Sequence, residues 1–400
     1  MTLWKRISLR SVVFGGLVSI CIPFVAETKT LVATPPMGWN SWNYFAVKVT
    51  DADIRAMADA LVASGMRDAG YIYVGIDDSW EGKRDADGNI HSNSKFPDMK
   101  GLADYLHARG LKLGIYSSPG PLTCEKYEGS YGHEEADART YAAWGVDMLK
   151  YDLCSFQEVM TETAPGNPSE QNRLMREAFE KMHHALLKTK RPILYSLCQY
   201  GVDSVWQWGP EVGAQMWRNT GDIKNNYDRM LIIAMAQMGL SKYAGPGGWN
   251  DMDILEVGNG AFSQDEAQTH MTLWAMLAAP LLAGNNLAKM DESTKSILLN
   301  HEVIEIDQDR LGKSASLLYA EGPIQIWTRP LADGSVAMAI LNTGFALTDM
   351  HGVTLHLEEA GFPKSAHARD IWNKTDLGAI QDNRQFSIPR HGVVLLKLTK

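Results

Sequence analysis

The chain has 400 residues, 45% of them apolar and 21% charged, with a formal net charge of -9 and no Lys/Arg-rich block. That composition excludes a disordered or collagenous chain, and the acidic balance argues against nucleic acid or an anionic membrane surface as partner. It leaves room for one large domain and a smaller one, acting on a neutral or cationic small molecule.

The first residues, "MTLWKRISLR" followed by the apolar run "SVVFGGLVSICIPFVA", have the layout of a secretory leader over residues 1–26, and the chain is expected in the periplasm or the medium. No later run reaches the roughly 18 apolar residues that span a bilayer. Beyond the leader stand Cys124, Cys154 and Cys198. In an oxidising compartment they fit one bridge and one free thiol, with the pairing left open by the residues themselves.

Residues 31–308 alternate short β-rich runs with helical patterns. "MGWNSW" (37–42) precedes a helix with Ile54, Met57, Ala58, Leu61 and Val62 on one face, Thr50 or Asp51 as its N-cap and Gly65 as its stop. Strands are expected in "YIYVGIDDSW" (71–80), "LKLGIYSS" (111–118), "DMLKYDLC" (147–154), "PILYSLCQ" (192–199), "AQMWRNT" (214–220), "YAGPGGWND" (243–251) and "PLLAG" (280–284). The best helix between them covers 169–190, with Leu174, Met175, Ala178, Phe179, Met182 and Leu186 as its apolar stripe. Strands so uniformly apolar are buried on both faces, which means a parallel sheet covered by helices. Eight units fit a (β/α)8 TIM barrel, and no Gly-rich phosphate fingerprint follows the first strand to favour a dinucleotide fold. From 314 to 400 the period becomes two, in "PIQIWTRP", "SVAMAILN", "VTLHLE" and "GVVLLKLT", which predicts a C-terminal antiparallel β-sandwich domain.

A barrel works at the C-terminal ends of its strands. Those ends here read Trp42, Asp77 and Asp78, Tyr116, Lys150 and Asp152, Gln199, Arg218 and Asp222, and Asp251 and Asp253. An aspartate after a strand is often only a helix cap, but so many converging on one rim shift the balance toward a site. Lys150 and Asp152, two apart on one strand, share a face and would both look toward the barrel axis. The ammonium would keep Asp152 ionised as a nucleophile, and Asp222, in the polar loop "RNTGDIKNN", would give and take the proton. Paired carboxylates of this kind suit retaining glycoside hydrolysis, and an aromatic rim of Trp42, Trp80, Tyr116, Tyr200 and Trp249 suits sugar. The histidines offer no HExxH, and His183 and His184 read as a solvated helix face, so no metal is expected.

The motifs "MGWNSW", "GIDDSW", "GLKLGIYSS", "LKYDLC", "WRNTGDI", "GPGGWNDMD" and "RDIWNKTDLG" run in order from about residue 34 to the C-terminus. Together they closely resemble glycoside hydrolase family 27, the α-galactosidase and α-N-acetylgalactosaminidase family, in its bacterial type. The resemblance implies a (β/α)8 barrel with an antiparallel β domain and a retaining double displacement, with no cofactor or metal. It makes Asp152 the nucleophile and Asp222 the general acid and base. It gives the sugar's 4- and 6-hydroxyls to Asp77 and Asp78, adds Lys150, Arg218, Asp253, Trp42 and Tyr116 to the cradle, and bridges Cys124 to Cys154. Where galactosidases commonly carry C-E-W, this chain has Cys198-Gln199-Tyr200. Neither Gln199 nor Tyr200 is small enough to suggest a 2-acetamido group, so the implied substrates are terminal α-galactosides of oligosaccharides or glycans. An α-N-acetylgalactosaminidase and, in another class, a non-catalytic galactose-binding protein are the alternatives; the second should have lost a catalytic carboxylate, and both remain. Whether the chain forms a homo-oligomer is left open.

Overall fold

The computed structural model describes residues 31–344 and 353–400, so the expected leader lies outside the described residues. Eight parallel strands curl around one axis: β1 (Met37–Asn40), β2 (Tyr73–Gly75), β3 (Lys112–Ser117), β4 (Met148–Asp152), β5 (Leu194–Cys198), β6 (Met216–Arg218), β7 (Trp249–Asp251) and β8 (Leu281–Ala283). Hydrogen bonding runs β8-β1-β2-β3-β4-β5-β6-β7. The remaining seam is closed by a parallel bridge between Leu255 and Ala283, with the Leu255 amide donating to the Leu282 carbonyl at 2.7 Å. The expected barrel is therefore present, with strands shorter than the apolar runs that signalled them.

Strand alternation divides the residues into two sets. Val74, Leu149, Tyr195 and Trp217 point outward into the helix-facing core, whereas Tyr73, Met148, Leu194, Met216, Trp249 and Leu282 form a separate apolar plug inside the barrel. Two residues beyond the plug along β4 stands Lys150, and two further Asp152. The register pairs Asp152 with Cys198, Cys198 with Arg218 and Arg218 with Asp251, so these side chains form one inward row at the C-terminal rim. Polar chemistry is thus stacked on an apolar floor.

The helix Asp51–Ala63 begins at Thr50 in a capping box with Asp53, and Gly65 follows its end at φ +85°. The helix Pro168–Lys188 buries Met175, Phe179, Met182 and Leu186 as its periodicity predicts. One element was not anticipated: a ribbon of Glu81–Arg84 and Ile90–Ser92 in the loop after β2.

The C-terminal domain is a six-stranded antiparallel sheet, β9 (Ser316–Glu321), β10 (Ile324–Pro330), β11 (Val336–Asn342), β12 (Ala366–Asp370), β13 (Thr375–Ile380) and β14 (Val393–Thr399), in the order β9-β10-β11-β14-β12-β13. One face, with Trp327, Ala339, Leu341 and Leu395, joins the barrel's core, where the helix Gln264–Met276 contacts β10, β11 and β14. The other face, with Ile326, Met338, Ile340 and Leu396, is covered by Val353, Leu355, Leu357, Phe362 and Ile388. The run "VTLHLE" is therefore not a strand. Its alternation is real, since Val353, Leu355 and Leu357 are buried, but the Leu355 amide donates to the Asp382 carbonyl and the Leu357 amide to Asp382 Oδ1 instead of to a ladder. Period-two burial can arise wherever an extended segment lies on an apolar face.

Candidate active site

At the C-terminal rim lies a cavity of about 340 Å³, lined by Trp42, Asp77, Asp78, Tyr116, Lys150, Asp152, Tyr200, Arg218, Asp222 and Asp253, together with Cys124 of the disulfide. Its volume is at the lower end for small-molecule sites, enough for about one sugar ring.

Asp152 ends β4 and is 5% exposed. Both its oxygens are held: Tyr116 donates to Oδ2 at 3.0 Å and Tyr200 to Oδ1 at 2.7 Å. Burial pushes its carboxyl above the ordinary range, opposed by the Lys150 ammonium, the Tyr200 hydrogen bond and Arg218. Lys150 itself bonds elsewhere. Its Nζ donates to Asp77 Oδ2 at 2.9 Å, so the expected direct pair with Asp152 is replaced by action through space. The side chain reaches past β3 to Asp77, just after β2, whose Oδ2 also accepts from Asn40 Nδ2 at 2.8 Å. Asp78 accepts from the Glu125 amide at 2.8 Å, next to the Cys124–Cys154 disulfide, and burial raises its carboxyl to about 6.

Arg218 closes the other side. One nitrogen, Nη2, reaches Asp222 Oδ1 at 2.9 Å and Asp253 Oδ2 at 2.8 Å. Asp253 also accepts from the Ile223 amide at 2.8 Å, which ties the loop carrying Asp222 to the loop after β7. Asp222 has 66% of its side chain exposed, in line with the open setting its loop suggested. Partial burial raises its carboxyl, but the Arg218 and Lys150 charges and the Arg218 hydrogen bond outweigh this and hold it below the ordinary range. Burial on one side and the Arg218 contact on the other thus make Asp222 the stronger acid and Asp152 the weaker.

Several rim residues are elsewhere. Trp80 and Trp249 are fully buried, with Trp80 Nε1 donating to the Tyr116 carbonyl and Trp249 in the apolar floor. Trp249 follows the lower phase of β7, whereas Trp80 lies in the loop after β2 and packs edge-on against Tyr141 and Trp144. Asp251 is buried beneath the cavity and accepts from the Asp253 amide at 2.8 Å. Cys198 and Gln199, expected to touch substrate, are both fully buried and do not line the cavity. Cys198 Sγ lies 3.7 Å from Arg218 Nη1, and Gln199 Oε1 folds back onto the Gly201 amide at 2.6 Å. The bridge expected between Cys124 and Cys154 is present, leaving Cys198 as the free thiol among the described residues. Cys124, Cys154 and Asp152 are close enough to suggest a metal cluster, but both sulfurs are bonded to each other and the grouping reduces to one carboxylate.

Asn43, Ala46, Ile223, Ile254 and Glu256 also line the cavity and were not singled out. Glu256 accepts from Asn43 Nδ2, linking the loops after β1 and β7. For Asn43, Ile254 and Glu256 the signal was present in "SWNYF" and "MDILEVG", each directly continuing a rim motif.

Residues 34–309 match the family model described as alpha galactosidase A, and residues 321–398 match that of the alpha galactosidase C-terminal beta sandwich domain. α-Galactosidase A of Cellvibrio japonicus is 43% identical over 412 residues, covering 96% of this chain and 97% of that protein. α-Galactosidase 2 of Arabidopsis thaliana is 40% identical, covering 92% and 90%. Among solved structures, α-galactosidase I of Mortierella vinacea superposes with a TM-score of 0.84 at 35% identity, covering 93% of this chain and 98% of that one. The α-galactosidase of Saccharomyces cerevisiae with raffinose gives 0.80 at 28% identity, covering 92% and 98%. The chain belongs to the α-galactosidase family, glycoside hydrolase family 27, and is a glycoside hydrolase.

Proposed function

We propose that the protein is an exported, exo-acting α-galactosidase that hydrolyses terminal α-D-galactosides with retention, through a galactosyl ester on Asp152. The observation that carries this reading is the pair of carboxylates in one small cavity. Asp152 is buried and held by two phenols, and Asp222 lies at the rim on an arginine. In the first step Asp152 attacks the anomeric carbon while Asp222 protonates the departing oxygen. In the second, Asp222 takes a proton from water, which displaces Asp152 and releases the sugar. Asp77, Asp78 and Lys150 form the wall that receives the sugar's hydroxyls, and a cavity this small admits a chain end rather than its middle. The raffinose bound to the yeast relative is an α-galactoside of the size this reading requires.

Of the two residues weighed against a 2-acetamido group, Tyr200 lines the cavity and Gln199 does not. A bulky phenol in the lining of a cavity of about 340 Å³ disfavours the added volume of an acetamido group. The test compares an aryl α-galactoside with the matching α-N-acetylgalactosaminide. The expected preference for galactoside in kcat/KM is on the order of 10²-fold or more; comparable rates would contradict the reading.

A further inference from the structure

Asp152 presents a physical problem. A nucleophilic carboxylate must be ionised, yet this one is buried, and its nearest ammonium is bonded to Asp77. The Lys150 and Arg218 charges act on it through space, and the groups that bond its two oxygens directly are neutral donors. They come from the two strands flanking β4: Tyr116 from β3 on Oδ2, and Tyr200 from the end of β5 on Oδ1. Each phenol oxygen also lies against one sulfur of the disulfide, Tyr116 at 3.0 Å from Cys154 Sγ and Tyr200 at 3.7 Å from Cys124 Sγ.

Tyr200 reaches this position by an unusual backbone. Its φ is +64°, a region that residues with side chains rarely adopt. The next residue, Gly201, has φ +83°, and a Cβ there would lie 2.3 Å from the Asn219 carbonyl oxygen. The turn is pinned from inside by Gln199, whose buried side chain accepts the Gly201 amide. Together these features turn the phenol toward Asp152, when a residue serving only as an aromatic platform would need no aimed hydroxyl.

We propose that Tyr200 is a positioning residue whose hydroxyl fixes Oδ1 of Asp152 and stabilises the ionised nucleophile, and that Gln199 is the buried residue that aims it. This rests on the galactosidase reading above. The other groups facing Asp152 are Lys150 on its own strand, Asp77 after β2, Tyr116 on β3, Cys198 on β5 and Arg218 on β6. All are shared by wild type and variants, so a difference between them isolates the Tyr200 hydroxyl.

The test is kcat/KM against pH for Tyr200→Phe with a dinitrophenyl α-galactoside, whose departure needs no proton, so the rate follows ionised Asp152. The phenylalanine keeps the ring and removes the hydroxyl. The expected result is a rising limb displaced to higher pH by roughly one unit, with about a ten-fold loss on its acid side that recovers as pH rises. Gln199→Ala, which keeps the phenol and frees the Gly201 amide, should move the limb the same way by less, and guards against a fold defect in the first variant. Limbs that stay in place, with only KM raised, would make Tyr200 a sugar platform and overturn the proposal. A wild-type protein that leaves the substrate intact would instead remove the galactosidase reading itself.

Discussion

Replacing Asp152 by asparagine is expected to lower kcat by on the order of 10⁴-fold or more, because the amide cannot form the glycosyl ester and no other carboxylate is placed to take over. Galactose binding should survive. Lys150 and Asp77 hold each other, Asp78 is held by the Glu125 amide and Arg218 by Asp253, none of them through Asp152. Asparagine also keeps the shape between the two phenols, so the cavity should remain open. Isothermal titration with galactose, set beside turnover of an aryl galactoside, separates the two effects. Substantial turnover in a clean preparation would remove Asp152 from the role of nucleophile.

For Asp222→Asn the loss should depend on the leaving group. Alkyl and sugar aglycones need a proton as they depart, and with these the rate should fall by roughly 10²- to 10⁴-fold. Dinitrophenol leaves unaided, so its first step should be nearly unaffected. The pH profile should change shape as well. In wild type the productive form has Asp152 ionised and Asp222 protonated, the reverse of what their surroundings favour, since burial raises the first and Arg218 lowers the second. That form peaks between the two ionisations, which gives a bell for kcat/KM centred on the acid side of neutrality. As pH rises, the productive form is lost once the second proton leaves the pair. Asp222→Asn removes one of the two titrations, so with dinitrophenyl galactoside only a single rising limb should remain. A leaving-group-independent loss would contradict the assignment.

The parts of the site that could be read from sequence are those governed by strand periodicity. Lys150 and Asp152 share a face because residues two apart must, and the parallel register then brings Arg218 and Asp251 to the same side. The partner chosen by Lys150 could not be read, because Asp77 comes from the end of another strand, two places round the barrel and 73 positions away in sequence. Trp80 and Trp249 show the limit of composition: an indole near a strand end fits a sugar platform and a core plug equally well, and strand phase decides for Trp249 while packing on the distant Tyr141 and Trp144 decides for Trp80. Gln199 shows another. Its place in a family motif suggested contact with substrate, whereas the left-handed turn at Tyr200 and Gly201 directs its side chain inward. The segment 353–358 alternates like a strand because it covers an apolar sheet face, and its amides turn to Asp382 instead of a ladder.

The central claim is a retaining reaction carried by Asp152 and Asp222 on α-galactosides. Proton NMR of the protein acting on an aryl α-D-galactoside, followed before mutarotation, tests it most directly. The account predicts α-galactose as the first anomer to appear, since two inversions at one carbon restore its configuration. β-Galactose appearing first would mean a single displacement by water, and Asp152 could not then be the nucleophile.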